Sequence, residues 1–369
     1  RLTLTPVLRE GFGLALDANG RVQLFNGQRP VWSDFKKVLA GEVAAFRAAD
    51  CDWNSTVASA IARHSIQDLL VARGASRVVV AMAQGLRGFF LADADRLSAL
   101  VAVELAMQAK DPGHQSVSRI KGGNDRLVEA LATQPKLKIS LQSIVDGIEQ
   151  DTHAVRVRIS GGSKRRTILN ADYAVLSIPP MVARTIAWSP APPAPLRRAW
   201  QTLAPGPATK AHARFDKGWW RKHGRPRAWG SNLDTGAIWE TAGTGPPCLT
   251  FLAGGRASEA FRSLLEEGGP QRVVKRLAWL GEPEPARDFR SVSWEFDRYA
   301  QGGYAVFGPD FLPQWRAELS RSFGRIALAG EHTSREWQGY MNGAVESGQR
   351  AARDIEIMHS MRSVGSAPT

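Results

Sequence analysis

The sequence predicts an α/β fold in which helices flank a mixed sheet and the chain returns, near its end, to a lobe it has already visited. Three observations carry this. The first third repeats apolar residues at helical spacing, the middle alternates apolar and polar residues like strands, and "RIALAG" followed by "NGAVESGQRAARDI" reads as a short buried strand and a closing helix.

Residues 1 to 116 are expected to be mainly helical. "LALDANGRVQLF" interrupts them as a strand pair around an Asn-Gly turn. "SDFKKVLAGEVAAFRAA" and "DADRLSALVAVELAM" form amphipathic helices, with Ser33 or Asp34 and Asp93 as their N-caps. From "KGGNDRLVEALATQ" the texture changes. A Gly-Gly turn opens a helix, and "LKISLQSIVDGIEQ", "HAVRVRIS" and "TILNADYAVLSIPP" alternate as strands. The Pro-rich "SPAPPAPL" leads to one more helix and then to "PATKAHARFDKGWW", "GAIWETAG" and "PCLTFLAGG", again strand-like. A helix over Gln271 to Leu280 precedes "SVSWEFDRYAQGGYAVFGPDFL" and the closing unit, and "RSVGSAPT" reads as an unstructured tail.

Composition bounds the function. The 369 residues, 43% of them apolar, suffice for two packed lobes. The apolar runs fall short of the roughly 20 residues that span a bilayer, so no membrane partner is expected. Residue 1 is Arg, with no secretory leader behind it, which points to the cytoplasm. Two cysteines, Cys51 and Cys248, are too few for a disulfide framework or a cysteine zinc site, and no metal is expected. The formal charge of +13 raises nucleic acid as a partner. Two clusters bear on it: "SGGSKRRT", a basic hairpin tip, and "GWWRKHGRPRAW", which interleaves rings with bases. A solvated loop after a buried Trp pair accounts for the second, so nucleic acid is not expected.

The closing unit carries the chemistry. Gly330 ends its strand without a side chain, so a ligand can approach the backbone. Ala344, Ser347, Gly348 and Ala351 form a small-residue face on the helix, packing on a strand or on a flat ring. The helix N-terminus near Asn342 offers unpaired N–H groups to an anionic edge.

With those residues in view, the stretch resembles the C-terminal signature of the FAD-dependent amine oxidases, the family of monoamine, polyamine and L-amino acid oxidases. "KGGNDRLVEAL", "SIVDGI", "ADYAVLSIPP", "PATKAHARFDKGWW" and "WEFDRYAQGGYAVF" resemble further family segments in the family's order, over most of residues 117 to 350. The resemblance implies an FAD/NAD(P)-binding-type lobe, incomplete at its N-terminal βαβ unit, beside an α+β substrate lobe. It places the substrate-domain lead at 1–116, parts of the FAD lobe at 117–190 and 321–358, the substrate domain at 191–320 and a disordered tail at 359–369. The implied reaction is hydride transfer from the amine-bearing carbon to flavin N5, imine hydrolysis, and reoxidation by O2 to hydrogen peroxide, with a small-molecule amine as substrate.

Carried over by position, Lys210 matches the lysine that holds a water beside N5, and Tyr304 and Tyr340 match the aromatic pair that admits a slim amine. Trp337 lines the same pocket, and Trp294 is assigned to the core. Gly330, Glu331, Gly339, Gly343, Ala344 and Val345 border the ring and ribityl chain, Glu331 through its backbone, and Val145 borders the adenine side. Gly303 stands where covalently flavinylated relatives carry cysteine, so FAD is expected to be held noncovalently.

The family's Gly-x-Gly-x-x-Gly fingerprint has no counterpart; "GFGLAL" holds only its first two glycines and lies in hairpin sequence. About a hundred residues of the usual anatomy are missing. A fragment, a homodimer or partner chain supplying the nucleotide-binding segment, or a degenerate relative are the readings of that gap. A flavin desaturase or protoporphyrinogen-type oxidase, which needs no tyrosine pair, and a basic non-catalytic binding protein are the rivals in function.

Overall fold

A computed structural model describes residues 2–7, 11–27, 29–108, 117–161, 167–241 and 245–365. The largest sheet has seven strands in the order Asp288–Ser293, Ala208–Arg214, Cys248–Gly254, Ala237–Glu240, Ala228–Ser231, Phe12–Asp17 and Val22–Phe25. All neighbours are antiparallel except Ala228–Ser231 with Phe12–Asp17. Pleating divides its side chains between two cores. Ala211, Ala213 and Phe251 face the helix Arg256–Lys275. Leu14, Leu16 and Ala208 face the helices of the first hundred residues, among them Phe35, Phe46, Leu70 and Val103.

A second sheet, ordered Thr167–Ala171, Val155–Ser160, Ile144–Gln150 and Ala187–Ser189, shares a third core with a two-stranded parallel sheet. That pair joins Ala174–Leu176 to the late strand Ile326–Leu328, so the chain does return to an earlier lobe. The mixed architecture is the α/β arrangement the sequence predicts.

Local details differ from expectation. The helix expected from Ser33 begins at Arg29, with Pro30 in its first turn, where a missing N–H costs nothing, and it breaks before a second helix, Ala40–Ala48. Ser33 and Asp34 therefore lie inside a helix and cap nothing. Asp93 does not cap the helix that follows it, Ala99–Gln108; its carboxylate accepts the N–H of Arg256 at 2.8 Å and so caps a helix 163 residues away. The helix expected over Gln271 to Leu280 is the far end of Arg256–Lys275, kinked at Gly268, Gly269 and Pro270. Residues 137–143 are not strand, and Ala228–Ser231, unforeseen, is one. The closing helix Met341–Gly365 continues past the boundary expected at residue 358. The strands flanking "SGGSKRRT" pair antiparallel, but its basic tip lies outside the described residues. Trp220 and Trp229 are buried and Arg221 and Arg227 pair with Glu240, so the rings of "GWWRKHGRPRAW" are core. Among the described residues no helix is long and apolar enough to cross a membrane.

Candidate active site

The site begins at the end of a buried strand. Ile326, Ala327 and Leu328 are almost wholly inaccessible, and the chain leaves them through Gly330 at φ +116°, a conformation side chains rarely adopt. A Cβ there would lie 2.5 Å from the imidazole of His332, which the turn Glu331–Thr333 folds back into the interior. Burial, and then the charge of Arg350, hold the His332 pKa down to about 4.

The closing helix docks through its smallest residues. Ala351 packs on Ala327 and Ala329, while the hydroxyl of Ser347 accepts the N–H of Gly330 at 2.9 Å. Ala344 and Gly348 point outward, so the expected small-residue face is divided between strand and surface. Arg350 donates to the carbonyls of Ser320 and Leu328 and to the Thr333 hydroxyl, fixing the helix over the turn. Gly343 is constrained by protein, since a Cβ would sit 2.3 Å from the carbonyl oxygen of Trp337. Val345 is exposed beside it.

Tyr304 reaches the segment of Tyr340 at this helix's N-terminus. The Tyr304 ring packs against Gly339, where a Cβ would lie 3.2 Å away and φ is +77°. Its hydroxyl donates to the carbonyl of Phe89. Burial, then Tyr340 and Glu331, push its pKa far above the ordinary phenol value, so Tyr304 stays neutral. Tyr340 is 66% exposed and meets Trp337 edge to face, with centroids 6.2 Å apart. One phenol is thus engaged and the other open.

Glu331 joins their two segments. Its Oε1 accepts the N–H of Ala305 at 3.0 Å and its Oε2 the N–H of Gly339 at 2.6 Å. Burial raises its pKa, and the two N–H donors work against that rise. Nothing in the local sequence signals this contact, because Ala305 is 26 residues away and is met through its backbone.

Lys210 lies on the strand Ala208–Arg214, opposite Leu252 and Val292. Pleating puts it on the face of Ala208, which belongs to the core against which Tyr304 and Leu252 also pack. His212 follows on the same face, its pKa lowered by burial and then by Lys210, Arg214 and Arg119. Val145 sits beside a bulge in Ile144–Gln150 and packs on the core that holds the closing strand. Trp294 is 42% exposed, so its assignment to the core is wrong. It follows the edge strand Asp288–Ser293, where no further strand covers it.

The family model described as flavin containing amine oxidoreductase matches residues 45–356. The chain belongs to that family. It is 29% identical over 251 residues to a protein of Dictyostelium discoideum named probable flavin-containing monoamine oxidase A, covering 66% of this chain and 54% of that one. It is 27% identical over 259 residues to the L-amino acid dehydrogenase of Synechocystis, with the same two coverages, 66% and 54%. The chain thus spans about half the length of the relatives it matches. Among solved structures, cyclohexylamine oxidase from Brevibacterium oxydans superposes with a TM-score of 0.82 at 22% identity, over 97% of this chain and 83% of that one. Putrescine oxidase bound to putrescine superposes at 0.77 and 19% identity, over 96% of this chain and 83% of that one. These likenesses establish the fold, and FAD is the cofactor the family implies.

Family membership allows a test of fit. At the ring end the residues suit a flavin: exposed Tyr340, Ala344 and Val345 surround first-turn amides at Met341 and Asn342 that have no acceptor within the helix. At the nucleotide end, the parallel sheet among the described residues has only two strands, and no Gly-x-Gly-x-x-Gly sequence follows either.

Proposed function

We propose that this chain carries the amine-handling side of a flavin-dependent amine oxidation. The observation that supports it most is the packing of Tyr304 against Gly339, the residue before Tyr340, at the N-terminus of the closing helix, with one phenol fixed and the other open.

Tyr304 and Tyr340 offer ring faces that attract a cationic amine, and Trp337 extends the apolar wall beside Tyr340. Because Tyr304 stays protonated, it contributes a neutral aromatic face with no charge to trap the ammonium. Lys210, on the sheet face, would hold a water beside flavin N5. Gly330, Glu331, Gly339, Gly343, Ala344 and Val345 would border the ring, whose anionic edge the helix amides favour. Val145 would take the adenine side. FAD, when bound, supplies the acceptor for the hydride leaving the amine-bearing carbon. The imine product is hydrolysed by water, and dioxygen is the terminal acceptor, reduced to hydrogen peroxide.

Noncovalent attachment follows from Gly303. Glycine at that position offers no thiol through which a flavin could be attached. The tyrosine pair favours a primary or secondary amine as substrate, and relatives named for a monoamine and for cyclohexylamine support a small one.

Tyr340→Ala tests the reading. Peroxide formation across a panel of amines is expected to fall at least about tenfold, the scale of one lost positioning contact, while FAD retention changes little. Equal losses of both would remove Tyr340 from substrate binding.

A further inference from the structure

We propose that the Glu331 carboxylate is a positioning residue that sets the separation of the two tyrosines and, through it, the width of amine admitted. This rests on the amine-binding reading of Tyr304 and Tyr340. Its structural half stands apart from that reading.

The geometry is specific. Glu331 sits on the turn between strand and helix, and each of its oxygens takes one backbone N–H, that of Ala305 at 3.0 Å and that of Gly339 at 2.6 Å. Ala305 directly follows Tyr304, and Gly339 directly precedes Tyr340. Each contact is therefore one residue from a tyrosine and acts on backbone, which leaves little slack. Gln338 closes the arrangement from the other side, its Nε2 donating to the Ala305 carbonyl at 2.6 Å. Ala305 is gripped at both its N–H and its C=O by residues of the Tyr340 segment and its turn.

Only a carboxylate of this length serves. An ionised carboxylate accepts at both oxygens, whereas an amide has one acceptor and turns its NH2 toward the second N–H. An aspartate is shorter by a methylene and cannot reach two donors placed for glutamate. The buried, charge-assisted bonds are of the stronger kind, as holding two loops in register requires.

Two readouts test the proposal. The first is amide hydrogen exchange at Ala305 and Gly339 in the full chain and in Glu331→Gln and Glu331→Ala. Exchange is expected to rise about tenfold or more at one amide or both in the Gln variant and at both in the Ala variant, with the strand Ile326–Leu328 still protected. Unchanged protection of both amides in the folded Gln variant overturns the strut, and that variant keeps the arm testable where the Ala variant does not fold.

The second readout is selectivity between a slim linear amine and a branched one. In Glu331→Gln the ratio of their kcat/KM values, read on the FAD-bound fraction, is expected to narrow by about threefold or more, a step within reach of one pocket contact. Lost amide protection with an unaltered ratio overturns the role in selectivity. A chain that retains FAD, oxidises no amine and still shows the exchange effect keeps the strut while refuting the proposed function, so the two failures are distinguishable.

Discussion

At the scale of residues, the site is made of groups whose ordinary chemistry burial has changed. His332 is the plainest case. An imidazole that titrates near 6.5 in an unfolded chain and at about 4 in the fold takes up a proton first in the unfolded state. Its contribution to stability is therefore complete above pH 6.5 and is lost as pH falls toward 4, on the order of 3 kcal/mol across that window. Denaturant unfolding at intervals between pH 7 and about pH 4 is expected to show a shallower loss of stability in His332→Gln than in the parent chain. Identical pH dependence would place the imidazole in a wetter setting than the turn provides. The resemblance of their segments to the family's implied that Tyr304, Tyr340 and Lys210 belong together, and the fold sets Tyr304 against Gly339, the residue before Tyr340. The resemblance did not show the Glu331 carboxylate reaching Ala305, since a contact to backbone leaves no mark on the residue contacted.

At the scale of elements, the closing unit is a helix held close to a strand by small side chains. Ala351 is buried against Ala327 and Ala329, so any added methylene must push helix and strand apart. Ala351→Leu is expected to cost about 1–3 kcal/mol in denaturant unfolding, while Ala352→Leu, one position round on the exposed surface, stays within about 0.5 kcal/mol. Equal effects would mean that the helix does not dock through this face. This unit was legible because both its elements are local, an apolar run and a 3.6-residue pattern. Ala228–Ser231 was not, because four residues are too few to show an alternating pattern, and of its two partners Ala237–Glu240 is near while Phe12–Asp17 lies more than 200 residues away. The true cap on Arg256–Lys275 comes from distant Asp93, and no capping pattern within that helix could reveal it.

At the scale of the whole molecule, apolar surface is covered more fully at the seven-stranded sheet than elsewhere. The seven-stranded sheet, its two cores and the tyrosine group are continuous. Elsewhere, by contrast, apolar residues are uncovered. The helix Asp125–Ala132 buries none of its residues, with Val128 and Leu131 exposed, and Val175 of the two-stranded parallel sheet is exposed too. Lobe and family were readable in the order of motifs, but this exposure was not, since amphipathic sequence looks the same whether or not its apolar face is covered.

The most direct test of the central claim is an anaerobic titration. The full chain, loaded with FAD, is mixed with primary and secondary amines in turn while the visible flavin absorption is followed. The arrangement of Tyr304, Tyr340 and Lys210 predicts bleaching by at least one slim amine, and its loss in Tyr340→Ala with FAD still bound. FAD that binds and stays unbleached by every amine, or that does not bind at all, would contradict it.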